Sequence, residues 1–131
     1  MSEGKISKGK NIGLWVVQVL VGLGNLMAGF MKFSTPIEEM QANPMMNWTN
    51  HVPEFLIYFS SVAEILIGLG LLLPMMLNVM PKLTRYAGLG LVGLQTGAII
   101  LHFSIGEYMV VVNVVYLLLG LLVFMGRKHL Q

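Results

Sequence analysis

The sequence predicts an all-α membrane protein: a four-transmembrane-helix antiparallel bundle with both termini cytoplasmic. A short outer interfacial helix is expected between its first and second spans. Three observations carry this. The 131 residues are 56% hydrophobic and only 11% charged. Soluble domains carry about 25% charged residues, so this chain has too few to cover a water-facing surface. Four apolar stretches, at approximately 12–33, 53–73, 83–103 and 107–125, have roughly the length of a bilayer crossing. Finally, seven of the eight Lys and Arg residues fall on one side of these stretches. They are Lys5, Lys8 and Lys10 before the first, Lys82 and Arg85 around the second connection, and Arg127 and Lys128 after the last. Lys32 falls on the other side with Glu38, Glu39, Glu54 and Glu107. The positive-inside rule then places both termini and the second connection in the cytoplasm.

Taken in order, residues 1–11 are polar, basic and expected to be disordered. The first apolar run, Ile12 to Phe33, exceeds a signal-peptide core and lacks a clean small-x-small cleavage site, so it reads as an uncleaved span. Thr35-Pro36-Ile37-Glu38 has a cap residue, a proline at the first helical position and Glu three residues after the cap. A short helix is expected there, stopping before Pro44. Met40, Met45, Met46 and Trp48 suit a membrane interface. Pro53 opens the second span and Pro74 is expected to end it. Ser104-Ile105-Gly106 is a tight turn, which makes the third and fourth helices antiparallel neighbours. The whole chain, 1–131, is one membrane domain.

Each helix carries one polar-and-glycine stripe. Gln18, Asn25 and Lys32 repeat every seven residues, with Gly22 and Gly29 beside them. The second helix has Ser60, Ser61, Glu64 and Gly68; the third has Gly88, Gln95 and His102, with Gly93 and Gly97 as a small-xxx-small packing pattern. The fourth offers Asn113, Tyr116 and Gly120. At about 1.5 Å of rise per residue, Asn25, Glu64, Gln95 and Tyr116 lie roughly 13–16 Å below the outer edge. Lys32, His102 and Asn113 lie within roughly 10 Å of it. The stripes predict a polar pocket that opens outward, with Glu64 at its floor. An ionisable group at that depth is a functional candidate by default. Its bland alternative is a buried pair with Lys32, which must reach inward to meet it. For Asn25, Gln95 and Asn113 the bland reading is interhelical hydrogen bonding, for Lys32 snorkelling to the headgroups, and for His102 simple hydration.

Composition also excludes. Without cysteine there is no disulfide, dithiol redox centre, thiolate metal site or covalent haem attachment. Asp, metal-ligand clusters and basic patches are missing, which sets aside a soluble metalloenzyme, a triad hydrolase and a nucleic-acid binder.

Gly29-Phe30-Met31-Lys32 at the end of the first helix, Glu38-Glu39-Met40 after it, Ala63-Glu64 within the second and His102 at the end of the third resemble the DoxX-like family of small four-helix membrane proteins. The similarity runs from about Gly22 to the C-terminus. The wider group includes a subunit of thiosulfate:quinone oxidoreductase, proteins of oxidative-stress complexes, methylamine-utilisation membrane proteins and receptor-assembly chaperones. The resemblance implies a cell (inner) membrane location and a role in membrane redox or assembly, with quinone as the implied cofactor. In a redox component, Lys32 and His102 would donate to quinone carbonyls and Glu64 would relay protons. No residue here holds an electron, so a redox-protein partner would be needed. The competing readings are a non-enzymatic assembly factor or scaffold that grips a membrane-protein partner, and a small transporter, which would need a homo-oligomer to widen its path. The lipid bilayer is a partner in every reading.

Overall fold

The computed structural model describes residues 6–130. Residues 1–5 of the leading segment expected to be disordered, Lys5 included, lie outside them. Among the described residues the chain is helical, with no strand. The helices are α1 (Lys8–Ser34), α2 (Ile37–Ala42), α3 (Glu54–Met76), α4 (Lys82–Ser104) and α5 (Val111–Gly126). A 3-10 helix, Pro44–Asn50, follows α2. Three of them, α1, α3 and α4, are long and apolar enough to cross a membrane; α5 is also apolar but shorter, at 16 residues.

Several boundaries differ from the sequence expectation for physical reasons. α1 begins at Lys8, not Ile12, because Ser7 caps it and its side chain accepts from Lys10 N at 3.1 Å. The box expected at Thr35 does not form: Thr35 Oγ1 turns back to donate to Met31 O, and Pro36 takes the cap position of α2. Met40 does not face an interface; it is 1% exposed and anchors α2 to the bundle. Pro74 does not end α3. Lacking an N–H, it cannot bond the Gly70 carbonyl one turn back, and Thr84 Oγ1 of α4 donates to that carbonyl at 2.9 Å instead. With its orphan acceptor satisfied from the neighbouring helix, α3 runs on to Met76. The last helix starts at Val111 rather than Glu107. Gly106 turns the chain at φ +81, a backbone setting that favours glycine, and Glu107 N donates to His102 O at 2.8 Å, so residues 107–110 stay outside both helices.

The four long helices pack as a ring, α1 on α3, α3 on α4, α4 on α5 and, most lightly, α5 on α1. Every neighbouring pair is antiparallel. Gly22 meets Leu72 and Gly29 meets Ile65, while Gly88 meets Val123 and Leu91 meets Gly120. Each helix contributes one residue to the central apolar layer: Val21, Leu71, Leu91 and Val123. Close approach depends on glycine. A Cβ on Gly68 would stand 2.7 Å from Gly22 O, and one on Gly88 would stand 2.7 Å from Gly120 O.

Both ends of the described chain lie at one end of the ring. Arg127, 1% exposed, donates through Nε to Gln18 Oε1 at 2.8 Å and through Nη1 to Asn11 Oδ1 at 2.7 Å. Gln18 Nε2 in turn donates to Leu71 O at 2.8 Å, so one network joins α1, α3 and the end of α5.

Candidate functional site

At the opposite end, Lys32 of α1 forms an ion pair with Glu64 of α3 through Glu64 Oε1. Rise per residue alone implies a long reach for Lys32. Helix direction closes the gap. Side chains lean toward their own helix N-terminus, and α1 and α3 are antiparallel, so the two chains lean toward each other. Glu64 is 8% exposed. The Lys32 ammonium also lies 5.3 Å from the centroid of the Trp48 ring. Trp48 comes from the 3-10 helix, an element that sequence periodicity does not reveal.

The pair sits on a cavity of about 700 Å³ between α3 and α4. Lys32, Glu64, Gln95, His102 and Asn113, five of the seven sequence candidates, line it. Asn113 Nδ2 donates to Gln95 Oε1 at 2.8 Å, linking α5 to α4 along the wall. Gln95 is 7% exposed. His102 Nδ1 lies 2.7 Å from Glu107 Oε1, and Asn47 Nδ2 donates to Glu107 Oε2 at 3.2 Å. These contacts tie the 3-10 helix to the α4–α5 connection beside the cavity. The His102 hydrogen bond, then that from Asn47, hold the Glu107 carboxyl below its ordinary range. The rest of the lining is apolar or small: α3 supplies Leu56, Phe59 and Ala63, and α4 supplies Gly90, Gly93 and Gly97.

The other two candidates lie elsewhere. Asn25 is fully buried and donates to Val21 O of its own helix at 2.8 Å, and its Oδ1 has no partner among the described residues. Tyr116 packs on the central apolar layer with its hydroxyl against Gly24 of α1. Gly93 and Gly97 do not seat a neighbouring helix, contrary to the packing that their spacing predicts. A Cβ on either meets nothing within 4 Å, because both face the cavity. The outer wall includes Trp48 and Val52, while the exposed lining residues Leu56, Phe59, Gly90, Gly93 and Gly97 lie on the flanks of α3 and α4.

Chemically, the site offers one ion pair, two amides and an imidazole on an apolar wall. Among the described residues no group of three or more His, Cys, Asp or Glu side chains is placed to hold a metal ion. Such a site suits a lipid-soluble molecule with a small polar head better than an ionic solute.

No curated protein matches the chain, and no solved structure matches it. A family model does, over residues 16–124, which takes in most of α1, the whole of α3 and α4 and most of α5. The chain is a membrane protein that belongs to the DoxX-like family.

Proposed function

We propose that this protein is an accessory component of a membrane redox system and binds a quinone in the cavity built around Glu64. The observation that supports this most directly is the composition of that cavity. At about 700 Å³ it falls in the usual range of roughly 300–1,000 Å³ for small-molecule sites. Its apolar wall suits a hydrophobic ring, and its few polar groups suit two carbonyl oxygens. Lys32 and His102 act as hydrogen-bond donors in this reading. Glu64, paired with Lys32, carries protons to and from the bound ring. Reducing a quinone to its quinol takes two electrons and two protons, and a partner redox protein supplies the electrons. Asn25 and Tyr116 serve the bundle rather than the ligand.

The same reading takes α5 as a fourth span, with both termini cytoplasmic and the bundle in a cell (inner) membrane. A second reading, an assembly factor without chemistry, is favoured by the Lys32–Glu64 pair, since a neutralised pair also works as a structural staple.

Mass spectrometry of lipid-soluble molecules that co-purify in mild detergent separates the two. A quinone enriched with wild type and lost from Glu64→Gln is the expected result. No small molecule with either protein, the variant still folded, would reject the redox reading in favour of the scaffold.

A further inference from the structure

The cavity has a side that the ion pair does not explain. Gly90, Gly93 and Gly97 follow one another along α4, and all three are exposed. Across from them on α3 stand Leu56 and Phe59, 38% and 65% exposed. These residues belong to two helices apolar enough to cross a membrane, so this flank faces hydrocarbon rather than water. The cleft between them runs inward to Gln95, whose Oε1 accepts from Asn113. No described residue accepts from Gln95 Nε2, although the residue is 7% exposed. Nε2 is not one of the enclosed, unpartnered atoms of the bundle, so it opens onto the cleft, where an acceptor on a bound molecule would meet it.

We propose that the α3–α4 cleft is a lateral doorway from the bilayer that holds the hydrocarbon chain of a membrane-dissolved, single-chain amphiphile. The chain lies across Gly93 and Gly97, and a hydrogen-bond-accepting head reaches Gln95 Nε2 beside the Lys32–Glu64 pair. This extends the ligand-binding reading of the same cavity by giving the ligand a tail and a route of entry. It does not require the head to be a quinone.

Glycine is the informative residue. At Gly22, Gly29, Gly68, Gly88 and Gly120 an added Cβ meets a neighbouring helix at 3.0 Å or less, so glycine there serves close packing. At Gly93 and Gly97 it meets nothing within 4 Å, so these two keep a space open. Exposed small-xxx-small faces also receive partner helices. A helix with its side chains is about 10–12 Å across, and exposed Phe59 and Leu56 stand on the opposite wall. The cavity also continues past the glycines to Gln95, a depth that a slender chain fills and a helix does not.

The test reconstitutes full-length protein in phosphatidylcholine vesicles with a trace of hexadecanol carrying a mid-chain diazirine. After photolysis, labelled residues are mapped by peptide mass spectrometry. Wild type is expected to be labelled at Ala63 and Ala98, which line the cleft, above the level at lipid-facing Leu20, and unlabelled hexadecanol should compete. In Gly97→Leu the excess should fall to the Leu20 level, and Gly93→Leu should repeat this. A Cβ at either position meets nothing within 4 Å, and Gly13→Leu, also in open space, controls for an added leucine. Labelling of Ala63 and Ala98 that is the same in wild type and the cleft variants, or never above Leu20, overturns the proposal. If the cleft labels as expected and no quinone co-purifies, the doorway stands and the quinone reading falls. If a quinone co-purifies and labelling is indifferent to Gly97→Leu, the quinone reading stands and the doorway falls.

Discussion

The two partners of the ion pair differ in what happens when one is removed. Lys32→Ala leaves a carboxylate 8% exposed with no cation beside it. Breaking a buried pair in this way costs about 3–5 kcal/mol. Glu64→Gln leaves an ammonium on a long stem two residues from the end of α1, which can snorkel toward the interface. Thermal unfolding in micelles should therefore show a larger loss for Lys32→Ala than for Glu64→Gln, and the double variant should recover part of the Lys32→Ala loss. Equal losses from both single changes would show that neither side chain escapes to water. Glu64 was legible in the sequence because one carboxylate inside an apolar span has few innocent explanations. Its pairing with Lys32 was legible only as the bland alternative, because rise per residue ignores the opposite lean of side chains on antiparallel helices and overstates the gap. Arg127 was hidden for another reason. Near the end of the chain it resembles any other cytoplasmic-side basic residue, and only packing against Gln18, far away in sequence, buries it.

Among elements, spacing alone does not say which side of a glycine stripe meets a neighbour. Gly88 and Gly97 sit on the same helix with similar surroundings in sequence, yet a Cβ on one would meet Gly120 O and a Cβ on the other faces open space. Gly68→Ala should push α1 and α3 apart, since its Cβ would meet Gly22 O and Leu26 Cγ at 2.7 Å. Overpacking of this kind costs about 1–3 kcal/mol. Gly93→Ala should cost nothing and raise Tm slightly through helix propensity; a drop in Tm as large as that of Gly68→Ala would refute the open cleft. The 3-10 helix makes a different prediction, because Asn47 ties it to Glu107. The Glu107 carboxyl is held below its ordinary range by His102 first and Asn47 second. A carboxyl with a lowered folded pKa contributes above its unfolded value, near 4.3, and the contribution disappears as pH falls through the folded value. Proteolysis within residues 43–51 should thus be steady from neutral pH down to about 5 and increase only in the acid range below about 4. Glu107→Gln should show the faster cleavage already at neutral pH. Cleavage that already rises between neutral pH and about pH 5 would overturn this assignment to the carboxyl.

At the scale of the molecule, composition and charge placement made the membrane class and helical architecture readable, because both follow from one-dimensional sums that folding cannot alter. The cavity was not readable, because it depends on where two helices fail to touch. The number of crossings turns on α5. Sixteen residues rise about 24 Å, short of a hydrocarbon core of roughly 30 Å. A short helix adapts by thinning the bilayer or by snorkelling of its flanks, at fractions of a kcal/mol per Å. Against that modest cost stand the hydrogen bonds from Arg127 to Gln18 and Asn11, which hold the end of α5 at the same end of the bundle as the start of α1. Six described basic residues, Lys8, Lys10, Lys82, Arg85, Arg127 and Lys128, gather at that end, with only Lys32 at the other. An even number of crossings satisfies both the network and the charge bias; three crossings would pull Arg127 away from Asn11 by the thickness of the bilayer. A C-terminal fluorescent-protein fusion should therefore glow and a C-terminal alkaline phosphatase fusion should be inactive, both signs of a cytoplasmic end. The opposite pattern would mean either that α5 does not cross or that the four-span bundle is inverted, and an N-terminal fusion separates the two, since only inversion also moves the N-terminus outside. With Glu38→Lys and Glu39→Lys added, positive charge accumulates at the opposite end, and a fraction of the molecules should invert if charge rather than the Arg127 network sets the orientation.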